Sequence, residues 1–109
     1  MEYTGTIILE SLVNPKILTD FKIISSRKTE NLGWHLYTVE ISEEDINKLS
    51  QEINGVSWYM HFWNGNSIIA VYKNKIFKFE YDNKDSWIPA VNYGLSLGIP
   101  KEQLDFLIE

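Results

Sequence analysis

Apolar residues along this chain fall into stretches of period two and stretches of helical period, and that contrast sets the expected elements. Residues 6 to 12, TIILESL, are β-branched and apolar; they predict a central strand, ended by a turn at Asn14-Pro15. A short helical turn over residues 16 to 20 follows. Lys22 to Lys28 and Trp34 to Ile41 read as the next two strands, joined by a polar loop from Thr29 to Gly33. Ser42 then opens a helix, with Asp45 three residues on as a weaker relative of the Ser-x-x-Glu capping box. Ile46, Leu49 and Ile53 form its apolar stripe and Asn54-Gly55 closes it.

Beyond this helix the period returns to two, with Trp58, Met60 and Phe62 pointing one way and Tyr59, His61 and Trp63 the other. Asn64-Gly65 is a strong hairpin signal, because both residues tolerate the positive φ of a type I′ turn. Centring the turn on that pair sets His61 against Ile68 and Tyr59 against Ala70 on one face, and Met60 against Ile69 and Trp58 against Val71 on the other. A three-residue loop Lys73-Asn74-Lys75 then brings Val71 to Phe77 and Ile69 to Phe79. A last helix runs from about Ser86 to Leu97, with Pro89 in its first turn and Gly98-Ile99-Pro100 as its stop. The tail KEQLDFLIE adds a short helical turn.

These elements predict one α+β domain over residues 1–109: a single antiparallel sheet of five to six strands with two helices on one face. The strand, helix, two strands and helix from residue 34 to 97 have a ferredoxin-like rhythm. If the N-terminal strands supply the missing partner, the arrangement is a permuted version of that fold.

Composition narrows the chemistry. The absence of cysteine excludes disulfides, thiolate nucleophiles and zinc sites built on sulfur. A formal charge of −5 repels a phosphate backbone, so no nucleic-acid partner is expected. The lysines at 73, 75 and 78 sit around a predicted turn, offset by Glu80 and Asp82. Glu2 stands where a signal peptide needs basic residues, and the apolar run after it is short and broken by Glu10 and Ser11; the expectation is a cytoplasmic chain with no membrane span. No G-x-G-x-x-G, Walker or calcium-loop pattern occurs, and no cofactor is expected.

If both helices cover the Trp58, Met60 and Phe62 face, then Tyr59, His61, Trp63, Ile68 and Tyr72 line the other as a contiguous aromatic patch suited to a ligand, a protein partner or a second copy of the chain. The competing expectation is that the N-terminal strands or the C-terminal tail fold over it as a second small core. His61 fits a general base, a metal ligand or a satisfied polar residue, but no triad spacing supports catalysis, and His35 with His61 has no metal-binding spacing, so no metal is expected. Glu10 interrupts Ile7, Ile8, Leu9 and Leu12; a buried carboxylate there is raw material for a general acid, whereas a strand edge or a paired position makes it structural. Gly94 inside the last helix points to close backbone approach, by a strand or a ligand.

The segments YTGTIILESL, WYMHFWN and YGLSLGIPKEQLDF together resemble a family of small uncharacterised prokaryotic proteins, nearly end to end, and that resemblance implies no activity. The leading expectation is a non-enzymatic binding or self-associating domain that uses the Tyr59, His61 and Trp63 face. The alternative is a small hydrolase- or isomerase-type enzyme with His61 as base and Glu10 or Glu40 as orienting acid.

Overall fold

A computed structural model describes residues 2–30, 33–55 and 58–104. Strand β1 (Glu2–Ile8) leads through two 3-10 turns (Leu9–Ser11 and Pro15–Asp20) to β2 (Lys22–Lys28) and β3 (His35–Ser42). Helix α1 (Glu43–Gln51) precedes a meander of β4 (Met60–Asn64), β5 (Ser67–Tyr72) and β6 (Lys75–Glu80). A 3-10 turn (Lys84–Trp87) runs into α2 (Ile88–Ser96), and a last turn spans Lys101–Gln103. The six strands form one antiparallel sheet in the order β2-β3-β1-β4-β5-β6, which with the two helices makes an α+β fold.

The order has a simple logic. β1 and β2 both pair antiparallel with β3, so they run parallel with β3 between them; β3 and β4 flank β1 in the same way. Each is a split crossover, the first made by the 3-10 turns and the second by α1. Strands β2-β3-β1-β4 therefore have the order of a ferredoxin-like sheet in its ordinary chain order, which needs no permutation and starts at β1 rather than at residue 34, with β5, β6 and α2 appended. Leu12 and Leu18 from the turns and Ile46 and Leu49 from α1 share one core cluster, so both crossovers cover the same face. Pro15 keeps the first crossover from being one continuous helix, since its ring clashes with the preceding turn. The second begins as the sequence predicts: the Ser42 hydroxyl accepts from the Asp45 amide at 3.2 Å, and Glu43, Glu44 and Asp45 sit at the positive end of the helix dipole.

Four expectations need correction. The predicted strand over 6 to 12 is shifted: β1 starts at Glu2 and ends at Ile8, where the Ser11 hydroxyl donates to the Ile8 carbonyl at 2.6 Å and turns the chain. In the β4–β5 hairpin Asn64 pairs with Ser67, so Gly65 and Asn66 are the loop residues, and Gly65 at φ 56 takes the first central position favoured in type II′ turns. His61 consequently faces Ala70 and Trp63 faces Ile68. The register differs from the expected one by two residues, an even step that leaves every side chain on its predicted face.

The β5–β6 loop breaks parity. Only Lys73 and Asn74 lie between the paired Tyr72 and Lys75, with Asn74 at φ 60, so the loop is one residue shorter than predicted. Phe77 and Phe79 then pair with Ala70 and Ile68 and move to the other face of the sheet. There they build a second cluster with Tyr72, Trp87 and Ala90, onto which α2 packs. The two helices thus sit on opposite faces rather than on one.

The anchor of α2 is Tyr72. Its side chain is fully buried, its hydroxyl donates to the Ala90 carbonyl at 2.7 Å, and burial pushes its pKa well above the ordinary phenol range. A Cβ on Gly94 would stand 2.6 Å from Leu104 and 2.9 Å from the Tyr72 hydroxyl, so the close approach at Gly94 is to the side chains of Leu104, just past the last 3-10 turn, and of Tyr72 on β5. Tyr72→Phe is expected to cost about 1–2 kcal/mol, the loss of one buried hydrogen bond, measured as a lower urea midpoint with an unchanged slope.

Candidate functional site: an open half-sheet

Alternation along each strand decides what the second face carries. Tyr3 and Ile7 of β1, Val39 and Ile41 of β3, and Met60 and Phe62 of β4 belong to the α1 cluster. Their neighbours Thr4, Thr6 and Ile8, Leu36, Thr38 and Glu40, and His61 and Trp63 therefore point the opposite way. Pairing brings Thr6 to Thr38, with hydroxyl oxygens 3.5 Å apart, Ile8 to Leu36, and Thr4 to Trp63. At the edge Lys22, Ser25 and Arg27 of β2 pair with Glu40, Thr38 and Leu36 and extend the same face.

Helix α2 covers only the β5–β6 end of this face, where it packs with Tyr59, Ile68, Tyr72 and Phe79. Over β1, β3 and the far end of β4 the side chains of Thr4, Thr6, Ile8, Leu36, Thr38, His61 and Trp63 are half-buried, and among the described residues they belong to no core cluster. Among the described residues the centre of this open area holds no Asp, Glu, Lys or Arg: it is made of threonine methyls, two aliphatic side chains, the Trp63 indole and the His61 imidazole. Charge is confined to its margin, at Glu2, Lys22, Arg27 and Glu40, with Lys22 Nζ 3.3 Å from Glu40 Oε2.

The residues singled out from the sequence are divided by the edge of α2. Ile68 and Tyr72 are fully buried beneath it and offer no surface to a partner, which corrects their assignment as binding residues. Tyr59 is half-buried and stacks on Tyr72 with ring centroids 5.8 Å apart. His61 and Trp63, in ring contact at 5.6 Å, remain on the open part. Thr4, Thr6, Ile8, Leu36 and Thr38 were not legible as members: the alternation in YTGTII does separate threonines from Tyr3, Gly5 and Ile7, but only the strand order sets them beside Trp63.

Neither proposed acid is oriented toward His61. Glu40 pairs with Lys22, and Glu10 lies in the exposed turn after β1, where Oε1 accepts from the His35 amide and Oε2 stands 2.8 Å from His35 Nδ1. Glu10 is thus a paired residue outside the strand. The His35 amide first, and its ring second, hold the Glu10 carboxyl below the ordinary glutamate range. A depressed folded-state pKa gives stability that is present above the unfolded-state value, roughly 4.3, and is lost as pH falls through the folded one. The urea midpoint of the wild type is therefore expected to drop on acidification below about pH 5 more than that of Glu10→Gln, and equal drops would count against the pairing.

Among the described residues no group of three or more His, Asp or Glu is arranged to hold a metal ion, and no helix is long and apolar enough to cross a membrane. No family model, curated protein or solved structure matches the chain.

Proposed function

We propose that this protein is a cytoplasmic, non-enzymatic binding module whose contact surface is the open half-sheet centred on Trp63, Thr4, Thr6 and Thr38, and that it belongs with the small prokaryotic proteins its sequence resembles. The observation that carries the reading is the make-up of this face: the outward side of an antiparallel sheet is ordinarily polar, whereas here Trp63, Ile8 and Leu36 lie among the threonines, no Asp, Glu, Lys or Arg stands in the middle, and the ions are at the rim. Depletion of charge at the centre, aromatic anchors and a polar margin are the anatomy of a protein contact surface. The cysteine-free composition suits a reducing compartment, and the charge of −5 argues against nucleic acid as the partner. The partner is then a protein or small molecule, or a second copy of the chain.

Native mass spectrometry of freshly purified protein tests this. The expected spectrum contains a dimer or a retained ligand, which Trp63→Ala strips away without lowering the free energy of urea unfolding by more than about 1 kcal/mol. A bare monomer for the wild type, with Trp63→Ala as destabilising as a core truncation, would make the face structural.

A further inference from the structure

The outer edge of β2 adjoins the open half-sheet but presents strand backbone rather than a face of side chains. β2 stands at one end of the sheet, pairs among the described residues with β3 alone, and is exposed along all seven of its residues. The opposite edge is treated differently: on β6 the Ser86 hydroxyl accepts from the Glu80 amide at 3.1 Å and the Trp87 indole donates to the Glu80 carbonyl at 2.9 Å, so the 3-10 turn caps that end. Among the described residues nothing comparable caps β2. Its sequence KIISSRK carries three cations and no acid in a chain of net charge −5. Lys22 is neutralised by Glu40, whereas Arg27 and Lys28 have no acid partner among the described residues. Ile23 and Ile24 are 44% and 50% exposed. The ladder to β3 is irregular between Ile23 and Ser25 and regular from Ser25 to Lys28.

We infer that the Ser25–Lys28 edge of β2 accepts an added strand from an acidic extended peptide. The unpaired backbone of an edge strand supplies hydrogen bonds to any chain laid beside it, and side chains select which chain. Arg27 shares the open face with Lys22, and Lys28 points to the α1 face with Ile23, so the favoured segment carries carboxylates on either side of its backbone near this end and an apolar residue toward Ile23. A second copy of β2 is a poor occupant: laid antiparallel along the whole strand, it sets Lys22 against Lys28 twice, and like charges directly opposite are destabilising. The cations also set a charge penalty against pairing this edge with a copy of itself.

The test uses a fluorescein-labelled octapeptide with adjacent glutamates toward one end, so that a carboxylate lies on each side of its extended backbone, and valines toward the other; it is titrated with the protein at low salt and read by polarisation. Controls are a peptide with lysine in place of glutamate and an N-methylated form that cannot donate backbone hydrogen bonds. The glutamate peptide should bind, weaken as salt is raised, and protect from hydrogen exchange only amides between residues 22 and 28. Arg27→Glu with Lys28→Glu should reduce its affinity about tenfold or more. Both positions are exposed, and should the charge-reversed variant fail to fold, Arg27→Ser with Lys28→Ser gives the same answer through a smaller loss. Equal binding of the lysine or N-methylated peptide, protection elsewhere, no binding at all, or dimerisation through β2 without peptide overturns the inference. Trp63→Ala leaves peptide binding unchanged, so failure here and failure of the open-face reading are separate results.

Discussion

Gly5→Ala is expected to lower stability by about 3 kcal/mol or more, beyond the usual cost of an added methyl group, because there is no direction in which the sheet can yield. Gly5 sits in the middle of β1, paired with Val39 on one side and Phe62 on the other. A Cβ at this position would stand 2.3 Å from Phe62 Cδ1 and 2.5 Å from the His61 carbonyl oxygen. The ring can rotate, but the carbonyl belongs to the backbone of β4. Relief therefore requires β1 and β4 to separate at the centre of the sheet. Urea denaturation measures the loss. Full restoration of stability by a second change, Phe62→Leu, would show that the ring alone is the obstruction and that the carbonyl contact is tolerated.

The second large effect is a contrast between neighbours. Phe62→Ala removes a fully buried ring from the centre of the α1 cluster and should cost about 3–5 kcal/mol, the range for aromatic truncation in a packed core. Trp63→Ala removes a larger side chain one position along the same strand, yet should cost about 1 kcal/mol, since the indole lies on the half-exposed face and its loss leaves no sealed cavity. The order of the two urea midpoints checks the assignment of faces. A larger drop for Trp63→Ala would mean that something packs over the open half-sheet.

That contrast was legible in the sequence because strand parity depends only on alternation. WYMHFW places Phe62 and Trp63 on opposite faces whatever the pairing, and the two-residue error in the β4–β5 register left them there. The β5–β6 loop was not legible in the same way. Whether Lys73-Asn74-Lys75 contributes two loop residues or three turns on whether Asn74 adopts positive φ, and that single residue decides which face receives Phe77 and Phe79. Once they cross over, the second face has enough apolar surface to hold a helix, and α2 follows them. TIILESL has the composition of a continuous strand, which leaves Glu10 open between a buried acid and an edge or paired carboxylate, and its bonds to His35 make it the paired one. The Ser11 hydroxyl bond to the Ile8 carbonyl, a local interaction that composition does not register, puts Glu10 in a turn instead.

The strand order also bears on how the chain assembles. β4, β5 and β6 are joined by two-residue loops, so their contacts are local and can form as soon as that part of the chain exists. β1 is the reverse case: both its partners, β3 and β4, come later in the chain, and it cannot take its place between them until residues out to about 64 are present. Closing those long loops comes at an entropic cost before any contact offsets it. During synthesis the apolar TIIL segment therefore emerges early and waits, which makes one of the two central strands of the finished sheet the one most dependent on remaining unaggregated while the rest is made.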